Sequence, residues 1–295
     1  MVKNFIRGLL IALLVTTGGY FLFIYMPQIF SGELFPNPYV INLSFIKIRW
    51  YGLLIAAAIL VSYFWSLETA KKSGLDTNKF ESLIFYLVLG GLIGARIGFV
   101  IQNLSYYMAN PQMIYTVWSG GLSIHGALIA GILTGFIAAK KLKIDFGAYL
   151  NIASPFVLLS GTIGRFGNFF NQEIIGKPTN FFAKMYVWVQ NRPKGYETVD
   201  FYHPVFLYES LLLFGLFCVY FFYIRKKMFD RFGISYTLIA YSVARIIVEP
   251  FRIDYKPIFA KLDLAQLVSI AILFLGLFFY FREVKNARKT KARTV

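Results

Sequence analysis

Apolar runs of about 20 residues recur through this chain, each set off from the next by a short basic cluster, and that alternation leaves few folds open. The first run covers Phe5 to Tyr25. A second begins at Arg49, Trp50, Tyr51 and Gly52 and reaches about Leu67. Others cover Glu81–Ile101, the stretch opening GGLSIHGALIAGILTGF, the stretch from Phe146 to Gly161, those around Glu209 and Tyr241, and Leu264–Phe281. In hydrocarbon no water satisfies backbone polar groups, so helices are the structure that runs of this length adopt. The expected fold is therefore an all-α, polytopic transmembrane helix bundle. Hydrophobic residues make up 58% of the 295 and charged residues only 15%, against a soluble average of about 25% charged.

Charge placement orients the bundle. Lys and Arg number 30 against 14 Asp and Glu, an excess that nucleic acid would also attract. The basic residues fall between the apolar runs, however, at Lys3 and Arg7, at Lys71, Lys72 and Lys79, at Lys140, Lys141 and Lys143, at Arg225, Lys226, Lys227 and Arg231, and in a tail from Arg282 to Arg293. The positive-inside rule and anionic lipid head groups explain that pattern, so no nucleic-acid partner is expected. The connections Gly32–Ser44 and Gln102–Gly120 are expected outside; Gln102–Gly120 and Gly32–Ser44 lack Lys and Arg, and Trp118 closes the later one. A cleavable signal peptide is the rival reading of the first run. No small-x-small site follows it, and an uncleaved anchor is expected. Residues 177–202 form the one sizeable polar segment and are too short for a core of their own, so they are expected to rest on the bundle as an external cap. Cys218, the single cysteine, lies in an apolar run and reads as a small packing residue.

Against this background the polar residues inside the runs stand out, because a charge at membrane depth persists only where a partner or a wet cavity receives it. GRFGNFFNQEIIG, residues 164–176, places Arg165, Asn168, Asn171 and Glu173 at the end of an apolar stretch, with Gly164, Gly167 and Gly176 for close backbone approach and phenylalanines for walls. Arg96 lies in a run with Gly90, Gly94 and Gly98, whose four-residue spacing admits another helix closely; it is expected to point into the bundle or a cavity and to meet either a carboxylate or substrate. His125 opens its run, either as a hydrogen-bonded packing residue or as a proton-transfer group. Glu209 needs a cation, with Arg165 and Arg245 nearest in depth. Tyr241, Arg245 and Glu249 advance in four-residue steps and form one polar stripe, on which Arg245 and Glu249 either neutralise each other or face a ligand. Paired arginines match a phosphodiester bidentately. With neither a GxxxxGKS loop nor a close His/Asp/Glu/Cys ligand set, no nucleotide, cofactor or metal is expected.

The 164–176 motif resembles that of the prolipoprotein diacylglyceryl transferase family, bacterial membrane enzymes that move a diacylglyceryl group from phosphatidylglycerol to a lipoprotein cysteine. The likeness extends to RWYG at 49–52, to the WxGGxSxHG element at 118–126, to HPxxLYE at 203–209, and to Tyr241, Arg245 and Glu249. It covers Arg49 to about Arg252. The resemblance implies seven core spans within residues 31–282, an extra transmembrane span in residues 1–30, and a basic cytoplasmic tail at 283–295. It implies a multi-pass protein of the bacterial inner membrane whose chamber faces the outer side and whose C-terminus is cytoplasmic. His125, Tyr241, Arg165 and Arg245 would then be catalytic. Tyr51, Arg165, Asn168, Glu173, Gly176, Arg245 and Glu249 would bind phosphatidylglycerol, with Asn168, Glu173 and Glu249 orienting the arginines or the glycerol hydroxyls. The second substrate would be a prolipoprotein signal peptide with its lipobox cysteine, and membrane lipids would surround the site. One departure is Asn151, where the family commonly has aspartate; the acceptor is kept and the charge lost. A transporter or channel for an anionic solute, or another phospholipid-processing enzyme, is the rival. The absence of a visible repeat and the one-sided clustering of the polar residues count against transport.

Overall fold

The computed structural model describes residues 18–43, 47–116, 120–225 and 231–293. Most of the expected first span, with Lys3 and Arg7, lies outside the described residues, as do Ser44, Trp118, Lys226 and Lys227. From Gly18 the chain is helical as far as α1 (Met26–Ser31), and a hairpin of β1 (Tyr39–Asn42) with β2 (Lys47–Arg49) leads into α2 (Trp50–Lys72). Then come α3 (Thr77–Gln102), the short α4 (Leu104–Ala109), α5 (Ile124–Leu142), α6 (Phe146–Ala153) and α7 (Phe156–Asn171). The cap contains β3 (Met185–Tyr186) and β4 (Phe201–Tyr202), and α8 (Val205–Val219), α9 (Gly233–Val248) and α10 (Leu264–Arg293) complete the chain. Six helices are long and apolar enough to cross a membrane, and α6 with α7 makes a seventh, broken span. The break falls at Pro155, which lacks an N–H and disfavours helix in the residue before it. Among the described residues this gives six spans, or the seven core spans that the sequence predicts when the bent pair counts as one.

Two compact units make up the chain. The first comprises the described residues up to Ile59, with Leu158–Val219 and Leu238–Phe278; the second comprises Leu60–Val157, Tyr220–Thr237 and the described residues from Phe279.

In the first unit the core gathers Met26, Ile29, Phe169, Phe170, Ile175, Met185, Val187, Tyr202 and Phe206. The cap has no core of its own: Met185, Val187 and Tyr202 are buried against the end of α7 and against α1. Its polar side is sewn by Arg192, which donates to the Val187 and Glu197 carbonyls and pairs with Asp200 at 2.5 Å. Phe21, before α1, packs on Phe166, Phe169 and Phe170 of the motif helix, and the Trp50 ring stacks on Phe170 at 4.8 Å.

In the second unit α3 and α5 form one tight seam. Gly90, Gly94 and Gly98 of α3 face Thr134, Ala130 and Gly126 of α5, and a β-carbon on Gly94 would lie 2.5 Å from the Gly126 carbonyl oxygen. Ala70, Phe80, Leu83, Ala138, Ala139, Tyr149 and Ile152 fill the core at the lysine-bearing helix ends. Asp76 and Asp145 cap α3 and α6. Asn151 accepts from the Ile234 N–H at 2.8 Å at the start of α9, so the substitution noted in the sequence retains the acceptor that this helix end uses.

Candidate active site

Three helices of the first unit bring opposite charges together. Glu209, fully buried on α8, turns one carboxylate oxygen to Arg165 Nη2 of α7 and the other to Arg245 Nη1 of α9, the latter at 3.3 Å. One helical turn beyond Arg245, Glu249 pairs with Arg245 Nη2. Arg252 Nε lies 3.4 Å from Glu249, and Arg252 grips Asp254 with bonds of 2.8 and 2.6 Å. Cations and anions thus alternate along Arg165, Glu209, Arg245, Glu249, Arg252 and Asp254. A buried charge without a partner is strongly destabilising, and this order leaves none unpaired. Outside the span, the Arg252 bond holds the Asp254 carboxyl below its ordinary pKa. Burial works against the charge on Arg252, but Asp254, Glu249 and Glu209 outweigh it and raise its pKa.

Arg165 and Arg245 differ in what they have left to give. A guanidinium carries five N–H donors. Arg245 divides its donors between two carboxylates, whereas Arg165 bonds only Glu209 among the described residues and keeps 20% of its side chain exposed. Tyr241, one turn before Arg245 and half-buried, makes no hydrogen bond with a described residue.

A second polar group closes the end of α7. Asn168, 4% exposed, donates to Glu173 at 2.8 Å, and Asn171 donates to the same oxygen at 3.4 Å. Gln172 and Ile174 have φ of 46° and 55°, left-handed positions that turn Glu173 back towards the helix end, where its N–H reaches the Asn168 carbonyl. Asn168 and Glu173 therefore hold each other and, unlike Glu249, make no hydrogen bond or ion pair with Arg165 or Arg245. The Tyr51 ring lies over Gly167, where a β-carbon would meet ring atoms at 3.1 Å. At Gly176 a side chain would strike His203 and Val205, because the backbone there bonds the His203 carbonyl at 3.2 Å. Lys177 N–H to the Phe251 carbonyl, and Ile253 N–H to the Ile175 carbonyl, complete a splice from the motif to the chain after α9. His203, lowered in pKa by burial, bonds the Tyr208 hydroxyl at 3.0 Å.

His125 belongs to the second unit. It lies in the first turn of α5, exposed and without a hydrogen bond to a described residue. Arg96 points into the bundle, as its place in an apolar run predicts, but it pairs with no carboxylate among the described residues. Buried to 7% exposure, it donates to the carbonyls of Met113, Ile114, Gly120 and Gly121. Sequence reasoning missed Gln172, which is 2% exposed and binds Tyr186, Trp188 and Asn191 of the cap. Its place inside the polar motif, with no charge to draw notice, was the only signal. Glu209 was expected to find one arginine and holds two.

Comparison with known proteins agrees with this arrangement. The profile of the family described as prolipoprotein diacylglyceryl transferase matches residues 38–282. A relative from Thermotoga maritima, named phosphatidylglycerol–prolipoprotein diacylglyceryl transferase, is 39% identical over 279 residues, covering 93% of this chain and 94% of its own. Relatives of the same name from Thermotoga petrophila and Fervidobacterium nodosum are 40% and 35% identical, over 87% and 94% of this chain and 88% and 94% of theirs. A match of this extent, over a chain whose motif arginines meet on one carboxylate, settles the assignment: this protein belongs to the prolipoprotein diacylglyceryl transferase family.

Proposed function

We propose that this membrane protein transfers the diacylglyceryl group of phosphatidylglycerol to the lipobox cysteine thiol of a prolipoprotein, the first step of lipoprotein maturation, at a chamber towards the outer side of a bacterial inner membrane. The observation that carries the reading is the meeting of Arg165 and Arg245 on Glu209, with donors of Arg165 left over. A phosphodiester with one negative charge fits beside such a guanidinium, which presents its donors in a plane.

In this reaction the thiolate sulfur attacks the diacylglyceryl carbon that bears the phosphate ester. The C–S bond forms as the C–O bond breaks, and the bonding pair leaves on oxygen as glycerol phosphate. Negative charge grows on the phosphate during the step, so Arg165 and Arg245 stabilise the transition state more than the bound diester, by up to a few kcal/mol (about 3) per donor. Glu209 fixes both guanidinium groups before substrate arrives, and Glu249 holds the second nitrogen of Arg245. A thiol is mostly protonated at neutral pH. His125 takes the proton with Tyr241 assisting, a role that suits an imidazole because it can both accept and donate a proton. Tyr51, Asn168, Glu173 and Gly176 shape the glycerol end of the lipid site.

Purified protein mixed with labelled phosphatidylglycerol and a lipobox peptide should yield a heavier, thioether-linked peptide and free glycerol phosphate. An unmodified peptide under conditions where lipid binding is detected overturns the assignment. His125→Ala should abolish or strongly reduce the transfer, and full activity in that variant removes His125 from the mechanism.

A further inference from the structure

Arg96 is a buried cation that pairs with no carboxylate among the described residues and donates instead to a set of neutral acceptors. Nε donates to the Ile114 carbonyl at 2.7 Å, Nη2 to Met113 at 2.6 Å, and Nη1 to Gly120 and Gly121 at 2.9 and 3.0 Å. The Tyr107 ring lies 5.3 Å from the guanidinium carbon. All three nitrogens are used, and the acceptors come from both flanks of one connection, residues 113–114 and residues 120–121. A lysine ammonium has three donors at a single point and lacks the planar fork that reaches both flanks at once.

The later flank ends four residues before His125. Between them Ser123 is fixed by the same helix that carries Arg96. Its N–H donates to the Ala95 carbonyl at 2.9 Å, and its hydroxyl receives Gln102 at 2.9 Å while capping the Gly126 N–H at 3.4 Å. His125 itself has no hydrogen-bonded partner among the described residues, so its placement follows the backbone at the start of α5, held by this frame and by the packing of Gly126 on Gly94 and Gly98.

We infer that Arg96 is a positioning residue for His125: its guanidinium clamps the carbonyls that precede α5 and thereby sets where the imidazole stands. The inference rests on the catalytic role given to His125 above. Misplacing a reacting group by about 1 Å can lower a rate about a hundredfold, so a loosened frame should show in turnover and leave lipid binding intact.

The test compares the full-length wild type with Arg96→Lys and Arg96→Gln in nanodiscs. Both variants should lower kcat by about a hundredfold with KM for phosphatidylglycerol within about twofold. The chain holds only two histidines, so the imidazole resonances of His125 and His203 can be followed separately. The substitutions should shift or broaden the His125 signal and leave that of His203, in the other unit, in place. An unmoved His125 signal, or unchanged kcat in both variants while His125→Ala is inactive, overturns the inference. Disturbance of both histidine signals with a collapsed melting transition in both variants also overturns it, since the residue then holds the fold as a whole. If instead His125→Ala transfers lipid normally while Arg96→Lys still moves the His125 signal, the mechanism fails and the positioning stands.

Discussion

Glu209 contributes no donor and touches no solvent, yet it determines where two arginines stand. Replacing it with alanine leaves both guanidinium groups facing a void where a shared carboxylate was. Losing one partner of a buried pair typically costs about 3–5 kcal/mol. Glu209→Ala should therefore lower the melting temperature in detergent and abolish transfer. Glu209→Gln, which keeps the shape and one acceptor, should fold more stably than the alanine variant while still losing turnover. Equal melting temperatures for wild type and Glu209→Ala would show that the bridge carries little of the stability. Much of this centre was legible in the sequence, because Arg165, Glu209, Arg245 and Glu249 are too costly in an apolar run to be there without one another. What could not be read was the division of partners. Spacing along a helix predicts the Arg245–Glu249 pair, but nothing in one dimension says that Glu209 serves two arginines, that Asn168 turns to Glu173, or that carbonyls alone satisfy Arg96.

Between helices the decisive residues are those without side chains. The seam of α3 and α5 was readable from Gly90, Gly94 and Gly98, since four-residue spacing puts them on one face. The partner face, Gly126, Ala130 and Thr134, repeats the same interval on α5. In lipid such contact rests on close packing, with no aqueous hydrophobic drive to replace it. Gly94→Ala would set a methyl against Ala130 and 2.5 Å from the Gly126 carbonyl oxygen, and because the second contact is backbone the helices must move apart. The expected loss is about 1–3 kcal/mol, the range of overpacked cores, visible as a lowered melting temperature. Gly91→Ala on the same helix meets only a carbonyl at 3.5 Å and should be mild by comparison. Similar losses at the two positions would mean that the seam is looser than the geometry describes. Element boundaries followed the chemistry where it was local, as with Pro155 and the Asp76 and Asp145 caps. They were not legible in the cap, whose short strands take their place from Gln172, Arg192 and the buried Tyr202.

Across the molecule, apolar length predicts the spans, whereas the direction of insertion rests on a different signal. Six helices among the described residues, or seven spans with the bent pair, are long and apolar enough to cross a membrane, but a helix of apolar residues reads the same in either sense. Orientation follows from lysine and arginine, which are retained on the cytoplasmic side when they lie in short connections. On that basis the cap is expected to face outward and the last helix to end inside, the orientation in which an exported thiol would approach from the side of the cap. Cys218 is the only cysteine, so Cys218→Ser gives a background for single-cysteine labelling without other changes. Lys194 in the cap and Lys285 near the end of α10 are both exposed. In cells whose outer barrier has been opened and whose inner membrane is sealed, Lys194→Cys should react with an impermeant maleimide at once. Lys285→Cys should react only after the inner membrane is lysed. The reverse order would place the arginine centre on the cytoplasmic side, out of reach of an exported prolipoprotein, and the transfer reaction would then need a different acceptor.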